Sequence, residues 1–240
     1  MISYENWIVA PYDENIYSIL HFLLPEFSRI FSPDIMRAET CTVFNDPSSK
    51  CPMLIISRNP IQIQLSQEST QYWAQTIYQL SHEMCHYAIR QGHKGDSYIL
   101  SWLEETICEA MSLYALEWAS NNWYRCPLSM GHSEYSSSIF TYLKDTAGKP
   151  ERNDLQSCVT LLDLRICNQT AESNRGGHVR ERNILYVCIS RHPEESRFLC
   201  DMYRYLNEDK LTIDFDTWLA DNPSEIVKCL SEIQPKIVAD

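Results

Sequence analysis

The sequence predicts an α+β fold that is rich in helix and contains one small sheet. Three short segments between residues 40 and 66 have the composition of β-strands. Two long helical patterns follow them, over residues 69–92 and 101–121, and more helical patterns occur further on. No repeat or linker divides the 240 residues, so we expect a single domain over 1–240. Its motif-bearing core is expected at about 60–120 and a helical C-terminal half at about 121–240.

The predicted sheet comes after a first helix. Residues 13–31 are mostly apolar at helical spacing, Asp13 can cap the N-terminus of this helix, and Pro25 favours a kink. Among the strand-like segments, PIQIQLS at 60–66 alternates apolar and polar residues, which predicts a half-buried or edge strand. The other two are 40–44 and 53–57.

The two long helices form the centre of the predicted domain. Ser69 or Thr70 can open the first, and Gly92 can end it. The second begins near residue 101 and is apolar on almost every side, which is typical of a buried helix. In the second half, we expect helices at 154–168, 194–206 and 223–233, a loop at 174–182, and either a strand or the start of a helix at 184–190.

Composition excludes several classes of protein. Hydrophobic residues make up 44% of the chain, enough for a sizeable core, and the formal charge of −12 disfavours binding to nucleic acid. We find neither a basic stretch followed by an apolar run at the N-terminus nor a segment long enough to span a bilayer. We therefore expect a cytoplasmic protein without a membrane partner, whose ten cysteines are mostly thiols.

The sequence His82-Glu83-Met84-Cys85-His86 is an HExxH motif within the first long helix. Residues four apart project from one face of a helix, so His82 and His86 can bind the same metal ion. Glu83 lies close enough on the helix to act on a water molecule at that metal. The alternative is a pair of ordinary buried histidines, which would still require hydrogen-bond partners.

A catalytic zinc site needs a third protein ligand. On the second helix, Glu105, Glu109 and Ser112 form a narrow polar stripe on an otherwise apolar surface. Acidic residues on a buried helix need a cation or a donor nearby, although a solvated edge would also explain them. Glu104 lies off this stripe and is expected to be solvated. His93, seven residues after His86, is a competing third ligand.

The spacing of these residues resembles that of a known family. An HExxH motif, an 18-residue gap and then Glu105 within Trp102-Leu103-Glu104-Glu105 is similar to the gluzincin branch of zinc metallopeptidases. The resemblance covers about residues 60–120 and implies a zincin-like fold, in which 60–66 is the edge strand beside the substrate and packs on the HExxH helix. It also implies that His82, His86 and Glu105 bind one Zn²⁺, that Glu83 is the general base, and that Glu109 orients a ligand histidine.

The function we expect is hydrolysis of peptide bonds in a peptide or protein substrate by zinc-activated water, with Glu83 as the base. One alternative is a non-catalytic zincin-like module that binds zinc or a protein, and another is an interaction protein without a metal. No aminopeptidase-type motif precedes the HExxH segment. The residues that could stabilise an oxyanion are left open among His132, Tyr135, Tyr142 and His178.

Overall fold

A four-stranded mixed sheet forms the β part of the α+β fold. It is seen in a computed structural model that describes residues 4–92, 100–152, 154–207, 209 and 211–237. The strands are β1 (Trp7–Val9), β2 (Cys41–Asn45), β3 (Met53–Ile55) and β4 (Ile61–Leu65). Their order in the sheet is β1-β2-β4-β3. Strands β1, β2 and β4 are parallel, whereas β3 pairs antiparallel with β4.

The structure corrects the place of one predicted strand. The alternation in 60–66 marks a half-buried strand, as expected, because the apolar residues of β4 are buried and Gln62 and Gln64 are only partly so. However, β4 is an interior strand and not an edge. Ile63 lies opposite Val43 of β2 on one side and Leu54 of β3 on the other. The edge of the sheet beyond β4 is therefore formed by β3.

The first helix begins where the sequence predicts. Helix α1 (Glu14–Phe31) is preceded by Asp13, whose carboxylate accepts hydrogen bonds from the backbone N–H groups of Asn15 at 2.9 Å and Ile16 at 3.1 Å. These bonds satisfy donors that have no partner within the helix, and the prediction of an Asp13 cap is confirmed. A short helix α2 (Pro33–Met36) follows and leads to β2.

Two long helices pack against each other in the centre of the molecule. Helix α3 (Trp73–Gly92) carries the HExxH segment, and every residue of α4 (Ser101–Asn122) from 101 to 116 is buried. The described part of α3 reaches Gly92, the residue predicted to end it. A Cβ atom at this position would overlap the backbone carbonyl of Cys200, so the close contact requires glycine.

The C-terminal half is mostly helical, as expected, but some boundaries differ. The predicted loop at 174–182 is wrong over its second part, because Val179 already begins a helix, and 184–190 belongs to that helix and not to a strand. Residues 193–205 form 3₁₀ turns. The α-helices are α5 (Tyr135–Ala147), α6 (Leu161–Thr170), α7 (Val179–Arg191), α8 (Phe215–Asp221) and α9 (Glu225–Ile233), and a short hairpin contains β5 (Leu206–Asn207) and β6 (Thr212–Ile213).

Both halves of the chain contribute to one hydrophobic cluster. It includes Leu23 of α1, Leu103 of α4 and Trp218 of α8, all of which are fully buried. All ten cysteines are present as thiols. Across the described ranges, we find no helix that has both the length and the apolar character needed to cross a membrane.

Candidate metal centre

Two helices bring together three side chains that can bind a metal ion. His82 and His86 lie one turn apart on α3, and Glu105 lies on α4, which packs directly against it. One ligand atom from each residue lies within 4.8 Å of the others, and all three residues are buried. The structure thus brings the HExxH histidines and Glu105 into one group that could hold a metal ion, as the sequence predicts.

The distances within this group fit one small cation. The Nε2 atoms of His82 and His86 are 3.1 Å apart. Each lies 3.3 Å from an oxygen of the Glu105 carboxylate. Tetrahedral coordination with bonds of about 2.0–2.1 Å places neighbouring ligand atoms about 3.3–3.4 Å apart. The two 3.3 Å distances end on different oxygens, Oε2 beside His82 and Oε1 beside His86, and each is close to the spacing that such an ion requires.

Glu104 contacts His86 on Nδ1, the ring nitrogen that does not face His82 and Glu105. Its Oε1 lies 2.6 Å from Nδ1 of His86, and it accepts a hydrogen bond of 3.2 Å from Nε of Arg90. Tyr203, from the C-terminal half, donates its hydroxyl to the same carboxylate. A proton held on Nδ1 by Glu104 leaves the Nε2 lone pair available to a metal ion.

The prediction that Glu104 is solvated is therefore wrong. Only 1% of this residue is exposed. Its neighbour Glu105 faces the two histidines, and Glu104 contacts Nδ1 of His86. Since α4 is buried on all sides, a residue off the predicted polar stripe is buried as well.

Hydrogen bonds and charge decide the ionisation of these groups. Burial alone would raise the pKa of Glu104, but its contacts with His86, Arg90 and Tyr203 outweigh burial and lower this pKa. Burial would also raise the pKa of Glu105, but its contacts with His82 and His86 outweigh burial and lower this pKa. Both carboxylates are thus held as anions, which is the form that attracts a cation and orients His86.

Glu109 does not have the place that the sequence assigns to it. Its Oε2 lies 3.3 Å from Nη1 of the buried Arg182 and 3.8 Å from Nε2 of His178. The carboxylate that holds His86 is that of Glu104. One turn of α4 separates Glu109 from Glu105, and this rise moves it from the histidines of α3 towards α7.

A cleft of about 130 Å³ gives access to the three-residue group. Glu83 lines it together with His82 and His86, and its side chain is 3% exposed. The opposite wall is formed by residues 51–54, which include the first part of the edge strand β3. Arg90 and Glu172 line the cleft as well, and neither was predicted to lie there.

The proposed oxyanion residues lie elsewhere in the described structure. Tyr135 packs on Trp73, and its hydroxyl accepts from the N–H of Ala74. His132 also contacts Trp73, Tyr142 packs near Tyr78, and His178 lies beside Glu109. These four residues are not among the described residues that line the cleft. His93, the competing third ligand, lies outside the described residues.

Neither Arg90 nor Tyr203 was predicted to take part in the site. Arg90 could have been found, because it follows His86 by four residues and so shares a helix face with both histidines. Tyr203 could not, since it lies 99 residues from Glu104 in the chain and only the tertiary fold brings them together.

Comparisons with known proteins yield no match among family models, curated proteins or solved structures.

The contact between Glu104 and His86 predicts a measurable loss of metal affinity. Replacing Glu104 by glutamine removes the anion that orients the His86 ring, and we expect zinc affinity to fall by about 10–100-fold. Zinc should return when it is added in excess. Titration against a zinc indicator measures this. Glu117→Gln is the matched control, since Glu117 lies on the same helix but accepts a hydrogen bond from Ser190. Equal affinities in wild type and Glu104→Gln would show that Glu104 does not support the site.

Proposed function

We propose that this chain is a zinc-dependent peptidase with a zincin-like fold. The observation that carries the proposal is the buried group of His82, His86 and Glu105, with Glu83 beside it in the same cleft. Two imidazoles and one carboxylate are a donor set used by catalytic zinc sites, which keep a further position open. The arrangement of an HExxH helix, a second helix with a ligand glutamate and a small mixed sheet supports the zincin-like part.

When bound, zinc would act as a Lewis acid that polarises a carbonyl group and lowers the pKa of water. His82, His86 and Glu105 would hold it. Glu83 would take a proton from the water that adds to the scissile carbonyl and pass it to the departing amide nitrogen. The position of Glu83, directly after the first ligand on α3 and lining the cleft, supports this role.

The edge strand β3 would hold the substrate. In the described sheet it pairs only with β4, so its other side has backbone groups that can bind an extended peptide. Residues 51–54 line the same cleft as Glu83, which supports a role of this strand in holding the substrate. Met53 of β3 is 40% exposed and can contact a substrate side chain.

Removal of the metal tests the proposal. We expect zinc-loaded protein to cleave members of a mixed peptide set, as followed by mass spectrometry. Incubation with 1,10-phenanthroline followed by dialysis should abolish cleavage, and stoichiometric zinc should restore it. Cleavage that continues at the same rate in metal-free protein would refute a zinc-dependent peptidase. A folded, zinc-loaded protein that cleaves no peptide would instead favour the non-catalytic zinc-binding module.

A further inference from the structure

Arg90 is a cation placed in a cleft that is otherwise acidic. It lies one turn after His86 on α3, and its side chain is 24% exposed. Of the described residues that line the cleft, it is the one lysine or arginine. The acidic side chains there are Glu83, Glu105 and Glu172. Arg90 is therefore the side chain of this lining that can donate to an anionic group.

One side of the Arg90 guanidinium is already fixed. Its Nε donates to Glu104 at 3.2 Å, and Glu104 in turn holds His86. Within the described part of the chain, the terminal Nη groups of Arg90 make no hydrogen bond. Arginine presents its donors as a planar fork that matches a carboxylate in two parallel hydrogen bonds. A guanidinium fixed at Nε, with Nη groups left over, is prepared to bind such an anion.

The distance to the metal ligands limits what the anion can belong to. Glu104 Oε1 lies 2.6 Å from Nδ1 of His86 and accepts a hydrogen bond of 3.2 Å from Nε of Arg90, so one carboxylate oxygen holds both side chains at the same cleft. The cleft, at about 130 Å³, is also smaller than the roughly 300–1,000 Å³ of typical ligand sites. Its volume suits one residue of substrate beyond the scissile bond.

We propose that Arg90 binds a substrate carboxylate located one residue beyond the scissile bond. This inference rests on the proposed peptidase function and defines its substrate class. The carboxylate is either the free C-terminus, so that the enzyme releases single C-terminal residues, or the side chain of an aspartate or glutamate. Both present the same planar anion to the guanidinium, and they are separated by the peptides chosen for the test.

The test compares three N-acetylated peptides of one sequence on zinc-loaded protein. The first ends in a free carboxylate on a neutral residue, the second in the corresponding amide, and the third in an amide on glutamate. We expect kcat/KM for the neutral amide to be about 10–100-fold below that for whichever carboxylate Arg90 binds. The peptide that retains full activity identifies the source of the carboxylate.

The variants Arg90→Gln and Arg90→Lys separate substrate binding from support of Glu104. In Arg90→Gln, kcat/KM for the preferred carboxylate peptide should fall to within about threefold of that for the neutral amide. Arg90→Lys should recover part of the preference, because lysine keeps the charge but not the planar fork of donors. Zinc content is measured for each variant. Arg204→Gln is the matched control, since Arg204 is exposed and pairs with Asp201. A purely structural role would lower activity on all three peptides equally and leave the preference unchanged, which would overturn the proposal.

A binding measurement keeps the proposal testable if peptide hydrolysis fails. Calorimetry with the same three peptides on zinc-loaded wild type should show about 10-fold or tighter binding of a carboxylate peptide over the neutral amide. Arg90→Gln should abolish that difference. Absence of hydrolysis with this binding difference would refute the peptidase and retain the carboxylate site. Equal binding of all three peptides to wild type would refute the site itself.

Discussion

Replacing Glu83 by glutamine is expected to lower peptide hydrolysis by about a hundredfold or more, while the fold and bound zinc are retained. Glutamine has the shape of glutamate, so the buried position next to His82 and His86 can accept it without repacking. Its amide cannot take a proton from water at neutral pH, and proton transfer to the departing nitrogen is lost with it. Turnover of a cleaved peptide and zinc content, both measured on the same preparation, check this result.

The control for this variant is Glu134→Gln. Glu134 has an exposed side chain and lies near His132, away from the cleft, so that variant should keep wild-type turnover. If Glu83→Gln hydrolyses peptide as fast as wild type at equal zinc content, Glu83 is not the base. The metal centre would then stand, but the mechanism proposed for it would not.

Glu105→Ala is expected to purify without zinc. The Glu105 carboxylate reaches both imidazoles: its Oε2 lies 3.3 Å from Nε2 of His82, and its Oε1 lies 3.3 Å from Nε2 of His86. Its removal leaves two protein ligands, and a two-ligand site should lose zinc to dialysis. Metal analysis by mass spectrometry after dialysis measures the loss, and circular dichroism shows whether the variant is folded.

Two further variants test the choice of third ligand. Glu109→Ala is expected to retain some zinc and to be reloaded by added zinc, because Glu109 contacts Arg182 instead of the ligand histidines. His93→Ala should leave the metal in place. Zinc that stays bound to Glu105→Ala but is lost from Glu109→Ala or His93→Ala would identify a different third ligand while leaving the HExxH prediction intact.

Local patterns predicted the elements around the centre well. The cap at Asp13, the alternation in β4 and the two long helices each depend on residues close together in sequence. Helix α5 was not predicted. Its first turn is rich in serine, a weak helix former, and the helix is stabilised instead by Ile139 and Leu143, which are buried in the core. Strand β4 was placed at the edge because pairing order depends on contacts that alternation does not encode.

The centre itself could be predicted only in part. His82 and His86 follow from helical spacing, whereas the choice of Glu105 rests on the resemblance to the gluzincin spacing. The contact of His86 with Glu104 and not with Glu109 could not be predicted, because it depends on how α4 is rotated against α3. An amphipathic helix shows this rotation in its exposed polar face, but α4 is buried on all sides from 101 to 116. The partners Tyr203 and Arg182 come from the C-terminal half, far away in sequence.

The amount of zinc bound per chain tests the central claim most directly. Purified wild-type protein, dialysed against metal-free buffer and analysed by plasma mass spectrometry, should contain about one zinc ion per chain, or take up one when zinc is supplied. Folded protein that contains no metal and binds no added zinc would show that His82, His86 and Glu105 are not a zinc site.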